Sequence, residues 1–241
     1  MAGERRLRIL ARLAGETSPG TETRRLCEAC ADVTGMSGAG IMLIFGDVPR
    51  GSVCTTNKVS DVIEQLQYGL GEGPCLDAYH QDRPVLEPDL DEPHPPRWPA
   101  FAGPAVEAGV RAIFGFPLHV GAVRLGALDL YRDRPGPLTD EQHADALVMA
   151  DVAAQAMLLL QADAPPGELA AELEAGADFH YVMHQASGMV AAQLDVSIGQ
   201  AFIRLRAHAF GNDRALAQVG QDVVARRLRF DDPSGEKDPS P

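Results

Sequence analysis

The sequence predicts an α+β chain in two parts: an N-terminal module that mixes strands with helices, then an all-α block of three helices. Three observations predict it. Short apolar runs bounded by turn residues alternate with helical periodicities as far as residue 161. Pro165-Pro166-Gly167 then breaks the chain. Beyond that break every apolar pattern has helical spacing, and two of the helices carry their own start signals.

Residues 1–21 are expected to form an N-terminal helix or arm. The module proper, 22–161, opens with a helix over 22–34 that places Leu26, Cys30 and Val33 on one face. Ala39–Phe45 is an apolar run of strand length. A turn through Asp47 and Pro49 leads to a second strand over Ser52–Thr56. Val59, Ile63, Leu66 and Leu70 then recur at helical spacing, and the glycine-rich stretch Gly69–Cys75 interrupts them. A short helix and a short strand, Pro84–Glu87, follow. Four prolines exclude regular structure over 89–99. Two strands, 111–120 and 123–131, are joined by a tight Gly121-Ala122 turn. Thr139 and Gln142 form a capping box, so a long helix starts there and runs to about Gln161, with Leu147, Ala150, Ala154 and Leu158 as its core stripe.

A linker, 162–167, separates this module from the helical block, 168–230. Its first helix spans 168–194, weakened by Gly176 and Gly188. Ser197 and Gln200 are a second capping box, opening a helix that buries Ile198, Ala201, Phe202, Leu205 and Ala209. Gly211 closes it, and Asn212 is placed to cap a third helix that buries Leu216, Val219 and Val223. The tail, 231–241, is polar and proline-rich, a composition of disorder.

The 241 residues are 45 % hydrophobic and 23 % charged, which is a soluble globular composition. No run of eighteen apolar residues suggests a membrane span, and the N-terminus lacks the apolar stretch of a signal peptide. A cytoplasmic protein is expected. The net charge of −13 argues against bulk attraction to phosphate. The deficit is uneven. Residues 169–230 carry six arginines and six acids, so nucleic-acid contact would need a local arginine face. Cys27 and Cys30 make a C-x-x-C with no second pair to complete a zinc set. They, Cys54 and Cys75 are expected to be small buried hydrophobes in a reducing compartment, with a redox sensor as the alternative for the pair. No metal site is expected. His80, His94, His119 and His143 have no motif partners, so no catalytic constellation is expected and the chain reads as a non-enzyme.

GEGPCLDAYHQDRPVLEPDL (71–90), RWPAF (97–101), GVRAIFGFPL (109–118) and GALDLY (126–131), followed by a long helix, resemble the GAF domain family. The resemblance covers residues 22–161. It implies an antiparallel sheet of about six strands flanked by helices, and a pocket that in many relatives holds a small molecule. In that pocket Gly71 and Gly73 would let backbone amides approach an anion, and Trp98 and Phe101 would form an apolar wall. The alternative is that Trp98 packs its loop onto the sheet. No cofactor is named by the sequence, and the ligand of such a pocket is unidentified.

The helical block resembles the ANTAR domain family. The residues that carry this are VMHQASGMV (182–190), SIGQAFIRLRAHA (197–209) and NDRALAQVGQDVV (212–224). Gln185, Ala186, Gly188 and Met189 match the first family motif, and Ala201, Phe202, Leu205, Arg206 and Ala209 match the second in register. Ser187 stands where the family usually has lysine. The resemblance implies a three-helix domain that binds tandem stem-loops in nascent mRNA and prevents a terminator from forming. Such a protein is expected to act as a homodimer, off the membrane, under a small-molecule signal or an upstream kinase. The candidate RNA contacts are His184, Gln185, Ser187, Gly188, Ser197, Arg204, Arg206, His208, Asn212 and Arg214. On the second helix Ser197, Arg204 and His208 share one flank and Arg206 the other. Arg206 has a second reading, as an ion-pair partner of Asp213 or Asp222. Gly188 also has two readings, close helix packing or close approach of RNA, and Asn212 has one as a simple cap.

Two rival functions remain at this point. Helices two and three could mimic a helix-turn-helix for duplex DNA. Alternatively, the first module senses a metabolite and the C-terminal helices only dimerise.

Overall fold

A computed structural model describes residues 5–7, 22–45, 48–91, 97–162, 178–212 and 214–230. Most of the predicted arm, His94, residues 163–167 of the linker, residues 168–177 of the first C-terminal helix, Asp213 and the tail lie outside them. The chain divides into two compact units, up to Ala177 and from Asp178.

The first unit runs α1 (Glu22–Thr34), β1 (Gly38–Phe45), β2 (Val48–Thr55), α2 (Lys58–Leu70), α3 (Pro74–Gln81), β3 (Val85–Glu87), α4 (Ala102–Glu107), β4 (Ala112–Val120), β5 (Val123–Arg132) and α5 (Asp140–Ala162). Its sheet has the order β2-β1-β5-β4-β3, and every pairing is antiparallel. Five strands are therefore present among the described residues, against the six the resemblance implied. The β4–β5 hairpin turns at Gly121 with φ 59°, as its Gly-Ala turn predicts.

The period-2 alternation of the strands sends side chains to two different layers. Ile41, Phe114, Phe116, Leu128 and Leu130 point to one face and pack on Leu26 and Cys30 of α1 and on Met149, Ala153 and Met157 of α5. Full burial of each large side chain contributes about 1.5–3 kcal/mol. The other face, with Gly40, Gly115 and Asp129, is covered by α2 and α3.

The Thr139–Gln142 capping box forms, and α5 starts where it predicts. The core stripe of α5 is rotated from the expected one. Ala146, Met149, Ala150, Ala153, Ala154 and Met157 are buried, while Leu147 and Leu158 are 45 % and 37 % exposed. Small side chains let the helix sit close to the sheet, and the leucines turn outward. By length and composition α5 also qualifies as a candidate membrane span, although it holds no unbroken apolar run of eighteen residues. In the fold it packs on β4 and α1. Arg5, in the helical stretch 5–7, donates to Asp145 of α5 at 2.6 Å, and Arg6 pairs with Asp151.

The cysteines correct the sequence expectation. Cys27 of α1 and Cys54 of β2 are joined as a disulfide, with Cα atoms 6.1 Å apart. Helix α1 packs directly on β2, and that packing brings together residues 27 apart in sequence. A crosslink of that loop length contributes on the order of 3 kcal/mol in the chain-entropy account. Cys30 is a free buried thiol that burial pushes up to about 12.

Among the described residues the second unit is three helices: α6 (Asp178–Leu194), α7 (Ile198–Gly211) and α8 (Leu216–Val224). Met183, Ala186 and Val190 meet Ala201, Phe202, Leu205 and Ala209 and the predicted Leu216, Val219 and Val223 in a small core. Ile198 is not part of it and is 55 % exposed, because it is the first residue after the Ser197 cap. Asp222 accepts from Arg214 before α8 and from Arg227 after it, which ties both ends of that helix. These hydrogen bonds hold its carboxyl below the usual range.

Candidate functional site

On the helix-covered face of the first unit, the glycine-rich break shapes the ground. Asn57 caps α2 through the amides of Val59 and Ser60. Gly71 ends the helix in the left-handed region, and its amide donates to the Gln67 carbonyl at 2.9 Å. That amide is therefore committed to a helix cap rather than to an anion. Gly73 has φ 139°, and a Cβ there would overlap the Gln67 side chain. Pro74 then begins α3, as its fixed φ favours.

Trp98 and Phe101 are buried and stack edge-on, with ring centroids 6.1 Å apart. The Trp98 indole donates to Asp77 at 3.2 Å. Glu72 accepts from the amides of Ala100 and Phe101 at 2.6 and 2.9 Å. The tryptophan thus packs its loop onto α3 and the glycine turn, the alternative reading of that residue, and the Gly71 amide, Trp98 and Phe101 are engaged in structural contacts. A separate cavity of about 170 Å³, lined among others by Phe116, His119, Leu147 and Asp151, is smaller than a usual metabolite site.

A different group of side chains meets in the interior. Asp129 of β5 lies between two glycines in the sheet, opposite Gly40 of β1 and Gly115 of β4. A Cβ at Gly40 would overlap the Glu64 carboxyl, and one at Gly115 would overlap the Pro74 carbonyl. The glycines therefore make floor space for Glu64 of α2 and for the start of α3. Glu64, Asp129 and Cys75 are buried, and one ligating atom from each lies within 4.8 Å of the others. Gln67, fully buried, donates to Asp129 through Nε2 and accepts the Cys75 amide through Oε1 at 2.8 Å. Both Glu64 oxygens and Asp129 Oδ1 receive no hydrogen bond from an amide or hydroxyl donor, and Glu64 faces the Asp129 carboxyl.

Burial, and then the facing Asp129 carboxyl, push Glu64 well above the usual carboxylate range. Burial pushes Asp129 up to about 7, against the hydrogen bonds from Gln67, Cys75 and Glu64. Burial and both carboxylates raise the Cys75 thiol. The charged groups that perturb these three are each other and Asp61, and no Lys, Arg or His is among them. Sequence reasoning treated Cys75 as a core hydrophobe and passed over Glu64, Gln67 and Asp129. The available signal was an aspartate in the middle of the otherwise apolar run LGALDLY.

In the second unit the expected RNA contacts separate into two groups. Gln185, Gly188, Ser197, Arg204 and Asn212 are exposed, while His184, Arg206, His208 and Arg214 are half-buried. Ser187 is buried at 2 % exposure and faces the helical core, which removes it from any surface contact. Arg204 makes no hydrogen bond, ion pair or ring contact among the described residues. Arg206 lies over the Phe202 ring at 4.3 Å, and Asp222, one of its suggested partners, is held by Arg214 and Arg227 instead. That ion pair also occupies Arg214. The His208 ring lies against Phe230. Ser197 Oγ accepts from the Gln200 amide at 3.2 Å, completing its capping box. Asn212 does not cap the third helix, which starts later with Ala215 as its cap. Its Nδ2 donates to the His208 carbonyl at 2.8 Å and closes α7. A Cβ on Gly188 would meet nothing within 4 Å, so helix packing does not require that glycine. Gly220 of α8 is the close-packed one, against Met183.

A family model described as GAF domain matches residues 16–158. No curated protein matches the chain. Among solved structures, the chain is similar to a domain of a putative two-component sensor histidine kinase protein from Sinorhizobium meliloti 1021, at 17 % identity and a TM-score of 0.49 over 61 % of this chain and 96 % of that one. It is also similar to the GAF domain of a phosphoenolpyruvate-protein phosphotransferase from Coxiella burnetii, at 14 % identity and a TM-score of 0.48 over 67 % and 95 %. The described C-terminal helices lie beyond the matched residues.

Proposed function

The chain belongs to the GAF domain family, and from that premise we propose that it is a two-part signalling regulator whose C-terminal helices bind RNA. The first unit senses a signal, a small molecule or an upstream kinase acting on it. The second recognises tandem stem-loops in nascent mRNA as an antiterminator, on its resemblance to the ANTAR family. No covalent chemistry is required, so the protein is read as a non-enzyme of the cytoplasm, where transcripts are made. Two stem-loops call for two binding units, and a homodimer supplies them with a raised effective concentration for the second contact.

One observation carries the RNA reading. The motif AFIRLRAHA buries Ala201, Phe202, Leu205 and Ala209 in the core of the second unit and leaves Arg204 exposed with no partner among the described residues. A guanidinium so placed suits a phosphate or an unpaired loop base. The exposed Gln185 and Gly188 of α6 are further candidates. Fluorescence anisotropy tests it with the full chain against a two-stem-loop RNA, the same RNA with one loop scrambled, and duplex DNA of equal length at two salt concentrations. Tightest binding to the two-loop RNA, weakened about tenfold by Arg204→Ala, is the expected result. Preference for the duplex would move the function to DNA.

A second reading keeps the sensor and gives the C-terminal helices to self-association alone. Ile203 and Phe210, seven residues apart on α7 and 63 % and 71 % exposed, favour it. A stable dimer that binds none of the three probes is its signature.

A further inference from the structure

We infer that Glu64, Cys75 and Asp129 form a binding site for one divalent metal ion of borderline softness, with zinc the best fit, inside the GAF unit. This stands apart from the RNA reading and does not depend on it. The three side chains come from α2, α3 and β5 and bring one ligating atom each within 4.8 Å of the others. Donor atoms around a tetrahedral zinc lie roughly 3.5 Å apart, so a contraction of about an ångström closes the set on an ion. One sulfur and two carboxylate oxygens are a donor set that hard magnesium or calcium does not favour and that zinc accepts.

The geometry around the donors is that of a prepared site. Both Glu64 oxygens and Asp129 Oδ1 are buried and receive no hydrogen bond from an amide or hydroxyl donor; Glu64 faces the Asp129 carboxyl, and Asp129 also faces the Cys75 thiol. Two buried carboxyls side by side are expensive to ionise together, and among the described residues no cationic side chain is set against them. An ion would supply the missing positive charge. Gln67 supports the site as an outer-shell residue, since its amide donates to Asp129 and accepts from the backbone of Cys75, fixing two ligands at once. Gly40, Gly73 and Gly115 clear space for Glu64, Gln67 and the start of α3 respectively. Three protein ligands leave a fourth position for water.

The test uses the full untagged chain, stripped with chelator and kept without thiol reductant so that Cys27–Cys54 stays closed. Cobalt(II) is titrated first, then zinc displaces it. The expected result is one equivalent of cobalt with a thiolate-to-cobalt charge-transfer band in the near ultraviolet. Cys75→Ser should remove the band, Cys30→Ser should leave it, and Asp129→Asn and Glu64→Gln should each weaken zinc binding at least tenfold. Absence of the band in the native chain at one equivalent overturns the inference, as does a band that survives Cys75→Ser. If Cys75→Ser fails to fold, the nearly isosteric Glu64→Gln decides: unchanged zinc affinity there overturns it as well.

Discussion

At the residue scale, Asp129 states the account most sharply. Burial raises it to about 7, above the value of about 3.9 of an unfolded chain. Between those values the folded chain holds more protons than the unfolded one. The contribution of Asp129 to the stability of the metal-free protein is therefore fully present below about pH 4 and is lost as pH rises through 7. Glu64, raised in the same direction, extends that loss to higher pH. Asp129→Asn keeps an oxygen for the Gln67 amide and brings its own NH₂ toward the Glu64 carboxyl. The variant is expected to melt several degrees higher than the native chain at pH 8 with chelator present, and to show a flatter melting profile between pH 5 and 8. Thermal melts followed by circular dichroism check this. A lower melting temperature at pH 8 would mean that the aspartate stabilises the fold and is not held at a cost for a ligand. Little of this was legible in the sequence. Glu64 stands next to Ile63 in a helix whose apolar period drew attention elsewhere, and only the fold brings it across from Asp129 and Cys75.

At the element scale, local signals were read well and long-range pairings were not. Both capping boxes and the β4–β5 hairpin depend on residues within a few positions of each other, and each formed where predicted. The α5 stripe slipped because apolar residues occur nearly all round that helix, so periodicity alone could not orient it. The Cys27–Cys54 crosslink needs the packing of α1 on β2, which no local pattern encodes. Thiol titration of the unfolded chain should find two reactive cysteines without reductant and four with it. Four in both conditions would show that the crosslink is absent from the purified protein. Gly188 offers a cleaner test of α6. A methyl there meets open space and the backbone is not left-handed, so Gly188→Ala should stabilise the second unit by about 1 kcal/mol through helix propensity. Denaturant unfolding measures that gain. A tighter fold with weaker RNA binding would place RNA against this stretch of α6.

For the whole molecule, the net charge of −13 means that the proposed recognition of RNA would rest on a few arginines and not on a basic surface. Salt dependence should accordingly be shallow, because few phosphates are neutralised. The architecture joins a sheet-based sensor unit with a buried donor set to a small helical unit that exposes Arg204. The proposed role of the helical unit is to act on transcripts. In vitro transcription tests it most directly, on a template whose leader carries two tandem stem-loops overlapping an intrinsic terminator. The account predicts that the full chain raises readthrough several-fold and that Arg204→Ala at the same concentration does not. Readthrough that stays at the basal level with saturating protein would contradict it and leave the C-terminal helices a dimerisation device.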